Sequence, residues 1–137
     1  LLLMLGSRSE NIEKIIKKNY KKKIIIIDRF TDSTIAYQHY GMGIDIKIIK
    51  SINHFLLNKI SPDFTFLNIV NKKNLISRLK NRKNKNRYDN FNFKFYNRVQ
   101  KGFLKLVNRK KYMIIDSNKP ILYNKMMILK KIDQLIK

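Results

Sequence analysis

The segment that begins at Asp28 carries side chains suited to binding a phosphorylated ligand. It reads DRFTDSTIAYQHYGMGID and directly follows four isoleucines. The guanidinium of Arg29 is a planar fork that matches phosphate oxygens. Hydroxyl groups at a helix start would add hydrogen-bond donors. They belong to Thr31, Ser33 and Thr34. Tyr37 and Gln38 lie one helical turn further on, where they would line a base or sugar pocket.

Single residues of this segment also have purely structural interpretations. Ser33 is a typical N-cap residue, and Tyr37 has the character of an aromatic side chain on an amphipathic helix. Taken singly, these structural interpretations are favoured, whereas the residues together favour a binding site. His39 and His54 are distant in sequence, with no cysteine in the chain, so we expect no metal centre built on them.

The elements that must position this segment alternate between strands and helices. Ile24–Ile27 is wholly β-branched and sharply bounded, which is typical of a parallel strand buried on both faces. Further strands are predicted over 64–70 and 112–115, and helices over 1–20, 33–40, 46–60, 72–81, 93–108 and 120–136. The order predicts an α/β fold, a parallel sheet flanked by helices. Ligands bind beyond the carboxyl ends of such strands, where Asp28 and Arg29 lie.

The composition indicates a folded domain and argues against several classes of protein. The 137 residues carry a net charge of +22, but the chain has 24 Lys, 7 Arg, 22 Ile and 16 Asn, types favoured by A/T-rich codons. The charge alone therefore does not predict a nucleic-acid partner. There is no cysteine and no apolar run long enough to span a membrane. The length predicts one domain over 1–137.

A basic segment interrupts the α/β pattern. Residues 81–92 read NRKNKNRYDNFN, with almost nothing apolar before Tyr88. Its cations are Arg82, Lys83, Lys85 and Arg87. A polar loop of this length in a compact domain is either a lid over a site or a solvated insertion.

The stretch DRFTDSTIAYQ resembles the signature of thymidylate kinases, P-loop nucleoside-monophosphate kinases that transfer a phosphoryl group from ATP to dTMP. The resemblance extends over essentially the whole chain through GMGID, SPDFTFL, the basic segment 81–92 and YMIIDSNKPI. It implies a P-loop NTPase fold, dTMP and ATP as ligands, Mg²⁺ bound with ATP, a cytoplasmic location and a homodimer.

The resemblance also implies roles for individual residues. Arg29 matches the arginine that holds the dTMP phosphate, and Asp28 matches a carboxylate near Mg²⁺, in its second coordination shell. Arg82 and Arg87 match the lid cations that contact the ATP phosphates. Residues matching the thymine and deoxyribose pocket are Met4, Arg8, Ser33, Thr34, Tyr37 and Gln38. Tyr37 would stand where a ribose 2′-hydroxyl would clash.

The sequence departs from the family pattern in one major respect. No G-x-x-x-x-G-K-[ST] motif occurs, and the glycines are Gly6, Gly41, Gly43 and Gly102. Without that loop the chain has no backbone cradle for the ATP phosphates. We expect residues 1–137 to be a partial kinase domain that lacks its amino-terminal part and is inactive alone. Met4 and Ile69 stand where the family has Phe and often Asp, respectively.

Two alternatives remain open at this point. The charge of +22 and the basic segment suit a non-catalytic module that binds RNA or DNA. A kinase for another nucleoside monophosphate would share most of the same residues.

Overall fold

The structure is a computed structural model that describes residues 2–57, 60–83 and 92–136. The amino-terminal helix α1 (Leu2–Asn11) continues through a π-helical segment (Ile12–Ile16) and a last turn (Lys17–Asn19). Helix α2 (Thr31–Thr34) likewise continues as a π-helical segment (Ile35–Gly41). The elements that follow are α3 (Ile46–Leu57), β1 (Thr65–Ile69), α4 (Lys72–Lys80), α5 (Phe93–Leu106), β2 (Tyr112–Asp116) and α6 (Ile121–Leu135).

The described residues form two compact units. The first comprises Leu1–Pro62 and Arg98–Leu106, and the second comprises Asp63–Asn97 and Val107–Lys137. Helix α5 thus contributes its first turn to the second unit and the rest of its length to the first. A single domain over 1–137 stays a prediction.

The core of the first unit is built from one face of each helix. Leu5, Ile12 and Ile16 are the buried positions of α1 and its continuation, at the spacing expected for an amphipathic helix. The opposite face carries the ion pairs Lys14–Glu10 and Lys17–Glu13, each four residues apart and exposed. Other elements add three buried apolar residues: Ala36, Ile49 and Val99.

The second unit contains a two-stranded parallel sheet. β1 pairs with β2 in a register that runs from Thr65 opposite Tyr112 to Ile69 opposite Asp116. Leu67 and Ile115 are the buried side chains of the two strands. The predicted parallel sheet flanked by helices is confirmed, as are the strands over 64–70 and 112–115 to within one residue.

The predicted central strand Ile24–Ile27 is wrong for this chain. These residues form neither helix nor strand, and Ile24, Ile26 and Ile27 are exposed to 69%, 85% and 43%. Within the described part of the chain the sheet consists of β1 and β2, and Ile24–Ile27 are not among its strands. A β-branched run becomes a buried strand only when neighbouring strands and helices cover it, and local residue preference cannot supply those neighbours.

The helix predicted to start at Ser33 begins two residues earlier. Phe30 precedes its first turn with a non-helical backbone (φ −125°, ψ −145°), and no side chain caps the helix there. Ser33 is therefore not an N-cap, and its buried backbone N–H instead donates to the Phe30 carbonyl at 3.2 Å.

Candidate functional site

The turn Asp28–Phe30 presents an arginine on an unusual backbone. Arg29 has φ = 65°, in the left-handed region that residues other than glycine seldom adopt. A non-glycine residue held there costs about 1–3 kcal/mol, and such residues cluster at functional sites. The Asp28 and Arg29 side chains are both exposed. The turn therefore offers a cation and a carboxylate to solvent at one place.

Tyr37 supports the exposed guanidinium of Arg29. The Arg29 guanidinium carbon lies 5.3 Å from the centroid of the Tyr37 ring, a cation–π contact. Tyr37 in turn packs edge-on against Phe103 of α5, with ring centroids 6.2 Å apart. A chain of two contacts thus connects the arginine to the body of the first unit. Both the predicted pocket role of Tyr37 and its structural interpretation are compatible with this half-buried position.

Arg8 is half-buried and bound to α2. Its Nη1 donates to the Thr34 hydroxyl at 2.5 Å, and its Nη2 donates to the Phe30 carbonyl at 3.1 Å. Desolvation by burial lowers the pKa of Arg8 from its ordinary value, although a guanidinium stays protonated in proteins. Arg8 therefore holds a fixed positive charge beside the start of α2.

A second contact between α1 and α2 lies one turn away from the first. The Gln38 side-chain amide donates to the Met4 sulfur at 3.7 Å. Met4 and Arg8 are four residues apart, as are Thr34 and Gln38, so the two helices contact each other through two matched pairs. Thr34 and Gln38 are buried, with exposures of 0% and 3%. The structure thus brings Met4, Arg8, Thr34 and Gln38 into one cluster, which we call the α1–α2 cluster.

Gly102 and Arg98 of α5, which the sequence motifs did not single out, pack against the π-helical segment that continues α2. An ideal Cβ on Gly102 would lie 2.5 Å from Cδ2 of Tyr40, so the ring sits directly on the α5 backbone. Arg98 Nη2 donates to the Gly41 carbonyl at 2.9 Å. The signal for Gly102 is a glycine within an otherwise helical pattern, which often marks a close approach of two backbones.

The predicted lid is only partly covered by the structure. Arg82 is exposed and follows the end of α4. Arg87 and Lys85 lie outside the described residues, as does most of 81–92. The role of the lid stays a prediction.

No group of three His, Cys, Asp or Glu side chains that could hold a metal ion occurs within the described ranges. Asp28 offers one exposed carboxylate at the candidate site. Mg²⁺ bound to a nucleotide takes one or two carboxylates and keeps several waters. A lone carboxylate therefore fits a Mg²⁺ ion that arrives with ATP, and it does not fit a resident metal held by the protein alone.

A network of asparagines lies at the carboxyl end of the sheet in the second unit. Asn118 Oδ1 accepts from the Asn71 backbone N–H at 3.1 Å and from Asn74 Nδ2 at 2.9 Å. The Asn118 backbone N–H and Nδ2 both donate to one carboxylate oxygen of Asp116. Asn118 thereby ties the start of α4 to the end of β2. Arg78 adds a bond from Nη2 to the Ser117 carbonyl at 2.6 Å.

We expect the substitution Asn118→Ala to raise the pKa of Asp116. The backbone N–H of Asn118, then its side-chain amide, and more weakly the charge of Lys119 hold this pKa below its ordinary value. A lowered folded pKa stabilises the fold above the pKa of the unfolded chain, and this contribution is lost as pH falls through the folded value. Carboxyl ¹³C NMR titration should show Asp116 titrating at higher pH in the variant.

Asn124→Ala is the matched control for this titration. Asn124 donates to the main-chain carbonyl of Asp116 at 2.9 Å and not to its carboxylate. The Asp116 titration should therefore stay unchanged in this variant. An equal shift in both variants would contradict the assignment of the effect to Asn118.

The comparisons with known proteins all identify the same family. The thymidylate kinase family model matches residues 1–128. A thymidylate kinase from Wolbachia of Brugia malayi is 44% identical over 104 residues, which are 75% of this chain and 49% of that protein. One from Trichodesmium erythraeum is 37% identical over 120 residues, 86% of this chain and 53% of that protein. The chain thus spans about half the length of these relatives.

A solved structure agrees with this assignment. The crystal structure of thymidylate kinase from Ehrlichia chaffeensis superposes with a TM-score of 0.72 at 30% sequence identity, covering 96% of this chain and 64% of that one. The parallel sheet and its covering helices are those of an α/β kinase fold of the P-loop type. Within that class, the chain belongs to the thymidylate kinase family.

Proposed function

We propose that this chain supplies the dTMP pocket and basic lid of a thymidylate kinase, which in its complete form transfers a phosphoryl group from ATP to dTMP and yields dTDP. The single observation that carries the proposal is Arg29, exposed on a left-handed turn in a chain of this family. The turn holds the guanidinium in the open, where it can meet an anionic phosphate.

Arg29 holds the acceptor phosphate in this proposal. Two parallel N–H donors of the guanidinium bind two phosphate oxygens of dTMP. A third oxygen attacks the terminal phosphorus of ATP, and the bond from that phosphorus to ADP breaks. Phosphoryl transfer depends mostly on alignment and on neutralising charge, so a cation already fixed by the Tyr37 ring suits it.

The α1–α2 cluster forms the wall of the pocket for thymine and deoxyribose. The fixed guanidinium of Arg8 lies near the base, Met4 covers a base face through its polarizable sulfur, and Ser33, Thr34 and Gln38 shape the wall. Most of these polar groups already bond to the protein, which keeps their positions fixed when a nucleotide enters. Tyr37 selects the deoxy sugar.

ATP-bound Mg²⁺ and the lid complete the site. Mg²⁺ arrives with ATP and neutralises its phosphate oxygens when bound. Asp28 lies beside that ion, and Arg82 and Arg87 face the ATP phosphates from the lid. Because the chain contains no G-x-x-x-x-G-K-[ST] motif, it has no activity alone in this proposal.

The experiment that tests the proposal uses nucleotide binding and a completed kinase. We define the completed kinase as this chain joined to the part of the Ehrlichia chaffeensis enzyme that precedes the residue aligned with Leu2. It should convert dTMP to dTDP with ATP and Mg²⁺, while the chain alone should not. In thermal-shift measurements on the chain alone, dTMP should stabilise it more than UMP or CMP does.

The same measurements decide between the alternatives. Stronger stabilisation by UMP or CMP would favour a kinase for another nucleoside monophosphate. A net charge of +22 motivates a nucleic-acid-binding module, which predicts equal stabilisation by all nucleotides and its loss at high salt. Either outcome would contradict a dTMP pocket.

The family resemblance also predicts that the protein forms a homodimer and that it lies in the cytoplasm. Both stay predictions. In the part of the chain that the structure describes, no helix is both long enough and apolar enough to cross a membrane.

A further inference from the structure

The second half of α5 contacts two aromatic rings of the π-helical segment that continues α2. The Tyr40 ring lies on the backbone of Gly102, and the Lys105 ammonium nitrogen lies 5.3 Å from the centroid of that ring. Phe103, which stands between Gly102 and Lys105 in sequence, contacts the Tyr37 ring. All five residues belong to the first unit. The two rings therefore have separate contacts on one helix.

The Tyr37 ring takes part in two contacts of different kinds. The Arg29 guanidinium carbon lies 5.3 Å from its centroid, within the range of a cation–π contact. The centroid of the Phe103 ring lies 6.2 Å away, and the planes of the two rings are 80° apart. This is an edge-to-face geometry, which aromatic pairs prefer. Because both rings are half-buried, Phe103 restrains the orientation of the ring on which the exposed Arg29 lies.

The position of the Arg29 guanidinium matters to any reaction in which it holds a phosphate. An exposed arginine has many accessible rotamers, and fixing one of them on binding costs conformational entropy. A ring held at a constant angle favours one rotamer before the ligand arrives. A displacement of about 1 Å at a reacting group can lower a rate about a hundredfold. A residue that orients the Tyr37 ring can therefore affect the rate without touching the nucleotide.

We propose that Phe103 is a positioning residue for phosphoryl transfer. It holds the Tyr37 ring edge-to-face, and this ring in turn holds the Arg29 guanidinium where the acceptor phosphate binds. The phosphate as the ligand of Arg29 rests on the function proposed above, whereas the restraint of Arg29 by Phe103 rests on the ring contacts alone. Phe103 has no contact of its own with the nucleotide in this proposal.

Phe103→Leu and Phe103→Tyr separate the aromatic ring from the bulk of the side chain. Leucine keeps an apolar side chain at this half-buried position but has no ring to pack against Tyr37. In the completed kinase, Phe103→Leu should lower kcat for dTMP about fivefold, a factor that an edge-to-face aromatic pair can contribute. Phe103→Tyr keeps the ring, so this variant should retain the kcat of the parent.

Two comparisons distinguish positioning from a general loss of structure. If Phe103 acts through Arg29, Phe103→Leu should lower kcat no further once residue 29 is alanine. A general loss of structure would lower kcat by the same factor in both backgrounds. Lys105→Ala is the matched control, because it removes an α5 side chain from the Tyr40 ring of the same segment. Its kcat should equal that of the parent.

Proton NMR on the chain alone tests the restraint of Arg29 without any nucleotide. The ring current of an aromatic side chain shifts protons above its face upfield. The δ-methylene and Nε protons of Arg29 should therefore show such a shift from the Tyr37 ring. We expect Phe103→Leu to lose most of this shift. Phe103→Tyr and Lys105→Ala should both keep it.

Three results would overturn the positioning role. They are an unchanged kcat in Phe103→Leu, an equal loss of kcat by this change in the Arg29→Ala background, and unchanged Arg29 proton shifts in Phe103→Leu. Failure of the proposed function gives different results, namely an inactive completed kinase or full activity of Arg29→Ala. In either case the Arg29 proton shifts alone would decide whether Phe103 restrains the guanidinium.

Discussion

In the completed kinase, Arg29→Ala should lower kcat for dTMP phosphorylation by about 10³-fold or more, the range measured for a well-placed arginine in phosphoryl transfer. Arg29 is exposed and contacts the Tyr37 ring, so its removal should leave the fold unchanged. Alanine and arginine both carry a Cβ, so both meet the same steric penalty on a left-handed backbone. The comparison therefore isolates the guanidinium. Steady-state kinetics with dTMP as the varied substrate measures the effect.

Two further variants sharpen the test of Arg29. Arg29→Lys keeps the charge but loses the planar fork, so its kcat should fall between those of the parent and Arg29→Ala. Arg109→Ala removes an exposed arginine from the turn that precedes β2, and its kcat should match that of the parent. If Arg29→Ala retained full activity, the assignment of the acceptor phosphate to this residue would be wrong.

Gly102→Ala should lower the free energy of unfolding by about 1–3 kcal/mol. The new methyl group would lie 2.5, 2.6 and 2.7 Å from Cδ2, Cγ and Cβ of Tyr40. These atoms are close to the Tyr40 backbone, so the π-helical segment Ile35–Gly41 must move away from α5. The neighbouring contact of Tyr37 with Phe103 would move with it and weaken the support of Arg29. Urea denaturation followed by circular dichroism measures the loss.

Gly6→Ala is the matched control for the glycine on α5. It lies within α1, and an added Cβ there meets nothing within 4 Å. Because alanine favours the helix over glycine by about 1 kcal/mol, this variant should be more stable than the parent. We expect the two substitutions to change the free energy of unfolding in opposite directions. A stabilising Gly102→Ala would show that the Tyr40 side chain does not pack closely on the α5 backbone there.

The helices and the two paired strands were predictable because their patterns are local. The stripe of Phe95, Val99 and Phe103 predicted α5, and Phe95 and Val99 are buried as an amphipathic helix requires. The observed strand Tyr112–Asp116 was predicted over 112–115 from a short apolar run with β-branched residues and a polar exit. In these elements residue preference and tertiary packing agree.

The failures of prediction concern properties that depend on partners distant in sequence. Ile24–Ile27 is wholly β-branched, yet among the described residues it pairs with no strand, and Ile24, Ile26 and Ile27 are exposed. The π-helical segment Ile35–Gly41 was also not foreseen, since one extra residue in a turn leaves no clear mark on a 3.6-residue period.

The candidate site was predictable as a set of residues but not as a set of contacts. The signature DRFTDSTIAYQ selected Arg29, Thr34, Tyr37 and Gln38 from the sequence. The bond of Arg8 to Thr34 joins residues 26 apart, and that of Gln38 to Met4 joins residues 34 apart. Such pairings depend on how α1 packs against α2. Their roles toward a nucleotide stay predictions.

The left-handed backbone at position 29 sets the demands of folding against those of binding. Glycine would adopt φ = 65° without the penalty of about 1–3 kcal/mol, so the turn alone would be more stable with no side chain at all. Selection of variants for thermal stability should therefore tend to remove the guanidinium that we propose for the acceptor phosphate. A search for variants of higher thermal stability must therefore leave Arg29 unchanged.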